Sequence, residues 1–289
     1  MARYLRSHHV KTRAVLGCAG ILFVATGCVA PEQALEAGDE TEELGSSADE
    51  LATGNALSAN ALSANALSAN ALSANALSVN ALSPVAASAL RDPGARGDLF
   101  RSLVKYTVSC ALKESQSFRF SWTDRAGATH KEVYPGHLGL APRWDRRPLD
   151  DEGKRMVSAC LAAHTNRYGV SVSISMRSRQ NPLHHEVGCG ELDEYPHVEG
   201  AFWGNLFTET PYLRACYNPA NVDVARAAKR DCAAGQLDAD GDLEGCGMIE
   251  IVGRCKEYCG KLNRSGEYYK ECDDPEFGET RYVITTALR

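Results

Sequence analysis

The chain lacks most of the short signatures that mark common enzymes. It has no Gly-x-Ser-x-Gly elbow to present a nucleophilic serine and no glycine loop ending in Lys-Ser/Thr to cradle phosphates. It also has no paired Cys-x-x-Cys zinc framework and no dinucleotide fingerprint. These absences disfavour the commonest enzyme classes without excluding hydrolysis, because a glycosidase's two carboxylates are matched in space and leave no sequence spacing. Long apolar runs are missing as well: the segment 14–26 holds 13 residues, short of the roughly 20 needed to span a bilayer as a helix. Charge of one sign is absent over whole stretches. Residues 1–27 carry four Lys and Arg and no acid, whereas 28–90 carry eight acids and no Lys or Arg. Subtracting these from the totals of 31 and 37 leaves 27 basic and 29 acidic residues in 91–289. That near-neutral balance gives no electrostatic ground for expecting nucleic acid as a partner.

What the N-terminus does contain is a basic lead (Arg3, Arg6, Lys11, Arg13), the apolar segment from Ala14, and Ala25-Thr26-Gly27-Cys28. This arrangement resembles the leader of bacterial prolipoproteins, in which small residues precede a cysteine that is acylated after cleavage. The resemblance implies a signal peptide over 1–27 and a lipid anchor on Cys28, hence a membrane partner through the N-terminal lipid. Several acyl chains on one cysteine make such anchoring stable. A rival site at Val15-Leu16-Gly17-Cys18 would leave almost no apolar core upstream. The residue after Cys28 is Val29 rather than Asp, which in Gram-negative lipoproteins implies sorting to the outer membrane or cell surface.

Residues 28–90 read as an acidic, repetitive spacer. Asn-Ala-Leu-Ser recurs with Asn at 55, 60, 65, 70, 75 and 80, so the leucines are five apart. Five steps at about 100° each advance 500°, which spirals leucines around a helix, and an odd period alternates faces on a strand. The period resembles that of pentapeptide-repeat β-helices, but Asn lies two before the leucine and Ala one before, a different register. Six copies also make too short a stack to bury a solenoid core. The expectation is a flexible spacer, with a short helix or β-helix as alternatives. If flexible, it would span roughly 45 Å, from about 5–6 Å times the square root of length.

The composition from Arg91 onward is that of one globular domain, 91–289, of α+β class. Asp98 is placed to cap a helix whose apolar residues (Leu99, Phe100, Leu103, Val104, Val108, Ala111) recur at three and four spacing. Phe118, Phe120 and Trp122 alternate as a half-buried strand over 117–123. A second helix is expected from Asp150 or Asp151 to Tyr168, followed by a strand over 170–176. A helix near 222–232 and strands at 248–252 and 282–287 complete the pattern.

Nine cysteines remain after Cys18 and Cys28, and export favours disulfides among them. Six lie between 216 and 272, so the C-terminal third is expected to be stapled. Cys110 and Cys160 sit on the apolar faces of the two best helices and are expected to join them. An odd number leaves one thiol over.

Among candidate sites, Asp238, Asp240, Asp242 and Glu244 alternate around Gly241. Calcium takes six to eight oxygens, and alternating carboxylates on a tight turn aim several at one centre. The run resembles the calcium loops of EF-hand, dockerin and thrombospondin type 3 modules, but Leu243 stands at position 6 and Ile249 at position 12. Calcium is the one cofactor expected, against a plain acidic turn closing a disulfide loop. His184-His185-Glu186-Val187-Gly188-Cys189 superficially resembles a zinc-protease motif, with Cys in place of the second His. Glycine and Pro182 argue for a polar loop instead. The aromatic stretch around Trp203 is either core or the lining of a ligand groove. These features support a lipid-anchored envelope protein presenting a binding or interaction domain for a protein or glycan. The alternatives are an envelope-tethered hydrolase, with a cleft gathering His184, His185 or His197 with Glu191, Glu194 or Glu199, and a structural component that self-associates through the repeat.

Overall fold

The computed structural model describes residues 52–55, 57–78, 80–184, 189–237 and 243–289. In chain order the elements are β1 (Ala52–Asn55), β2 (Leu57–Ser58), α1 (Ala59–Ala64), α2 (Ala66–Ser73), α3 (Pro84–Arg91), α4 (Ala95–Ala111), β3 (Ser117–Thr123) and β4 (Thr129–Pro135). They continue with α5 (Asp151–His164), β5 (Thr165–Asn166), β6 (Val172–Arg177), α6 (Cys189–Glu194), β7 (His197–Asn205), β8 (Tyr212–Tyr217), α7 (Val222–Ala227) and α8 (Asp231–Ala234). The last are β9 (Gln236–Leu237), β10 (Leu243–Glu244), β11 (Ile249–Arg254), α9 (Cys255–Tyr258), β12 (Cys272–Asp274), β13 (Gly278–Thr280) and β14 (Ile284–Leu288).

Six strands form one sheet in the order β1-β6-β14-β7-β8-β11, antiparallel except for the β8–β11 pair. Consecutive residues of the central strands face opposite cores. Phe202, Leu213, Ala215 and Ile284 point into the cluster formed with α4 and α5, whereas Ala201, Trp203, Cys216 and Val283 point into a second cluster with Cys255, Cys259 and Cys272. The sheet is thus covered by helices on one side and by the stapled C-terminal segment on the other, an α+β architecture. Bridges Cys216–Cys255 and Cys259–Cys272 lie in that second cluster, Cys232–Cys246 lies in the cluster on the helical side, and Cys110–Cys160 joins α4 to α5. Each closed loop stabilises by about 2–4 kcal/mol.

The repeat is where the structure departs furthest from the expected flexible spacer. Leu57, Leu62, Leu72 and Leu77 are all buried in the helical core. A five-residue period fails only on a single long helix, and here the chain breaks into short pieces whose phase restarts each time. Serine and asparagine supply the breaks: Ser58 and Ser83 accept N-cap bonds from Ala61 and Ala86, and Asn65 donates back to the carbonyl of Ala61 while opening α2. The serines also reach outward. Ser63 Oγ accepts from the backbone of Met248, across 185 residues, and Gly247, at φ 62°, leaves room only for hydrogen because a Cβ there would lie 2.6 Å from that Oγ.

Three boundaries also shift from expectation. Gly94, not Asp98, caps α4, because the Asp92-Pro93-Gly94 turn is held by Arg101, whose Nη1 donates to the carbonyls of Leu90 and Asp92; Asp98 instead pairs with Arg101 from within the first turn. Helix α5 stops at His164, since Thr165 leaves it to pair with Leu57. The helix expected over 222–232 is two, α7 and α8, separated at Lys229, whose φ of 59° cannot continue a right-handed turn.

Candidate functional site

The strap 137–141 helps to form a concave surface. A helix leaves its last four carbonyls unpaired. Those of α4 are taken by the strap: His137 and Leu138 donate to Ser109, Leu140 to Cys110, Ala141 to Ala111 and Gly139 to Leu112. Gly139 takes φ 67°, which lets the strap turn tightly against Lys113. A single 3₁₀ turn, Pro142–Asp145, then carries Trp144 inward, and Asp150 caps α5 by accepting from Gly153.

Between these elements lies a cavity of about 400 Å³, bounded by Lys113, Arg143, Trp144, Arg147, Glu152 and Pro182, with Leu140 and Leu149 among its apolar walls. Trp144 is almost wholly buried, donates Nε1 to the carbonyl of Asn75 at 3.0 Å and meets the ring of Phe207 edge-on at 6.0 Å. Leu77 donates to the carbonyl of Trp144 and Leu149 to that of Ser73, so the Asn-Ala-Leu-Ser segment buttresses the cavity from behind. Arg147 spends part of its charge on Asp150 at 2.9 Å. The exposed Lys113 and Arg143 stand at the rim. Such a mixed wall, with an apolar floor and a few convergent charges, is the usual form of a binding pocket.

Most residues singled out in the sequence serve structure. Glu199 is fully buried and takes three contacts of 3.0–3.3 Å from Arg230 together with the hydroxyl of Thr286. Arg230 also donates to the carbonyls of Thr165 and Ala163. Glu191 accepts from Ser175 and lies 3.9 Å from Arg177, whose guanidinium pKa burial pulls below its usual value, against the opposing pull of Glu191 and Glu267. Glu194 pairs with Arg289. His184 is exposed and lies edge-on to Tyr268, while His197 opens β7 at partial exposure. Residues 185–188 lie outside the described residues, and Cys189 begins α6. Trp203 is no exposed patch: it is 1% exposed and donates to Asp274 at 2.9 Å. Among the described residues Tyr168 and Phe277 are the exposed large aromatics, and Phe277 stacks on Tyr212 at 4.1 Å. Asp238, Asp240 and Asp242 also lie outside the described residues. The backbone of Glu244 pairs with Gln236, next to the Cys232–Cys246 bridge.

A second cluster sits deep between α4 and α5. Nδ1 of His164 is 3.0 Å from the carbonyl oxygen of Cys160 and close to both sulfurs of the Cys110–Cys160 bridge. Burial pushes its pKa down to about 4, so the imidazole is neutral across the physiological range. The signal for it in the sequence was Cys160 and His164 four apart on one helical face. The cavity residues left only a weaker trace, a glycine and a proline between a helix and an aromatic.

No protein-family model matches the chain, and neither a curated protein nor a solved structure matches it. Among the described residues no helix is long and apolar enough to cross a membrane. Fold and site together define a disulfide-stapled α+β domain with a cavity lined by Lys113, Arg143 and Arg147 alongside Asp150 and Glu152.

Proposed function

We propose that the chain is a cell-envelope lipoprotein, acylated at Cys28 and held at the outer membrane or cell surface, whose domain is a binding or interaction module seated on the 113–182 cavity. The observation that carries this reading is the pairing of an apolar floor at Trp144 with cations at Lys113, Arg143 and Arg147. A protein or glycan ligand bearing carboxylates fits that rim, since arginine holds carboxylates bidentately. The commitment of Glu191, Glu194 and Glu199 to arginine partners supports binding over hydrolysis. Asp238, Asp240, Asp242 and Glu244 remain the proposed ligands of one calcium ion, which would brace the loop beside the Cys232–Cys246 bridge.

Calorimetric titration with carboxylate-bearing glycan fragments and acidic peptides tests the seat. The expected result is binding that weakens with salt and is abolished in Arg143→Glu. A chain that binds none of them but cleaves chromogenic glycosides or esters would favour the tethered hydrolase. For the acidic loop, a rise in melting temperature with calcium that disappears in Asp240→Asn supports the ion, and the absence of any rise removes it.

A further inference from the structure

The cluster between α4 and α5 has a chemistry that the cavity does not use. Cys110 and Cys160 are 0% exposed and His164 is 2% exposed. Their sulfurs lie 3.8 and 3.5 Å from Nδ1 of His164, and all three ligand atoms fall within 4.8 Å of one another. Around a single ion, sulfur at about 2.3 Å and imidazole nitrogen at about 2.0 Å stand roughly 3.6 Å apart, so both nitrogen–sulfur edges already have coordination length. The sulfur–sulfur edge must open, and Nδ1 must release the hydrogen bond it donates to the Cys160 carbonyl. The positions rest on rigid elements, Cys160 and His164 one helical turn apart on α5 and Cys110 on the facing helix.

We propose that, when the Cys110–Cys160 bridge is reduced, Cys110, Cys160 and His164 form a three-coordinate site for a cuprous ion. The bridge accepts two electrons and two protons from a dithiol, which leaves as its own disulfide. Cu(I) then binds both sulfurs as thiolates, releasing two protons, and takes the lone pair of Nδ1 once the proton that Nδ1 donates to the Cys160 carbonyl in the bridged form has moved to Nε2. Two thiolates and an imidazole are soft donors suited to Cu(I). Structural zinc takes four ligands, and the cluster offers three. None of the other three bridges has a histidine in such a cluster among the described residues.

The test uses the full chain, reduced anaerobically with a phosphine, freed of reductant and titrated with Cu(I) against a chromophoric Cu(I) chelator. One Cu(I) per chain is expected to be withheld from the chelator, and none by the chain with its bridges intact. His164→Gln or Cys160→Ser should weaken retention at least about tenfold, and Cys216→Ser should not. Alkylation of the copper-loaded parent chain, mapped by peptide mass, reads the same site without any variant: Cys110 and Cys160 should be protected. Undiminished retention in His164→Gln, protection of other cysteines in their place, or no retained copper would overturn the assignment.

Discussion

Replacing Leu62 or Leu72 by alanine decides whether the Asn-Ala-Leu-Ser segment belongs to the fold. Leu62 is 0% exposed and Leu72 is 1% exposed, and both belong to the same core cluster as Phe100 of α4 and Met156 of α5. Truncating a leucine in a close-packed core removes its transfer free energy and leaves a cavity that neighbours fill only in part, so each variant should lose about 3 kcal/mol. For a domain of this size that corresponds to a melting temperature lower by roughly 6–12 °C. Ala74→Ser, at an exposed position in the turn after α2, should stay within about 0.5 kcal/mol of the parent. Urea unfolding with the disulfides intact, followed by near-ultraviolet circular dichroism, gives both values. If Leu62→Ala and Leu72→Ala unfold with the parent, the leucines are not core and the segment is a spacer after all.

Other perturbations test the rest of the architecture. Arg230→Met should cost about 3–5 kcal/mol, because Glu199 is left as an uncompensated buried charge, and adding Glu199→Leu should restore part of that loss in a double-mutant cycle. A double variant as unstable as the two losses summed would deny the coupling. The His164 pKa lies near 4 in the folded chain against 6.5 when unfolded, so the unfolded state binds the extra proton between those values. Stability should therefore be full above pH 6.5 and fall by about 3 kcal/mol as pH drops to 4. His164→Gln should flatten that slope in urea titrations across the window. Trp144→Phe keeps an aromatic floor but loses the bond to Asn75, and should cost about 1 kcal/mol while loosening ligand binding at the cavity. A loss of stability without any change in affinity would detach Trp144 from the seat.

Much of the helical layer was legible because α4 and α5 obey a 3.6 period, with Phe100, Leu103 and Val104 on one face and Met156, Val157 and Cys160 on the other. The same faces held Cys110 and Cys160. Strand β3 was legible from Phe118 and Phe120 alternating against polar neighbours. The strand order was not, since β14 enters the sheet between β6 and β7 and nothing local to Ile284–Leu288 names those partners. The repeat was opaque for a different reason: its period matches no single element, and only the breaks at Asn65 and Ala74 make the leucines converge. The acid reading failed at Glu199 because its partner Arg230 lies 31 residues away, and a buried ion pair looks like a catalytic candidate until its partner is seen. The cavity was hidden because its shape comes from backbone bonds of the strap to α4, which side-chain patterns do not encode.

The early start of the fold also sets a leash. For a chain acylated at Cys28, only 24 peptide steps separate the anchor from Ala52 in β1, and full extension at about 3.3–3.6 Å per residue limits that distance to roughly 80 Å. Had folding begun at Arg91, the same arithmetic would allow roughly 200 Å. In a chain so acylated, Ala52, and with it the start of the sheet, stays within that shorter radius of the anchor.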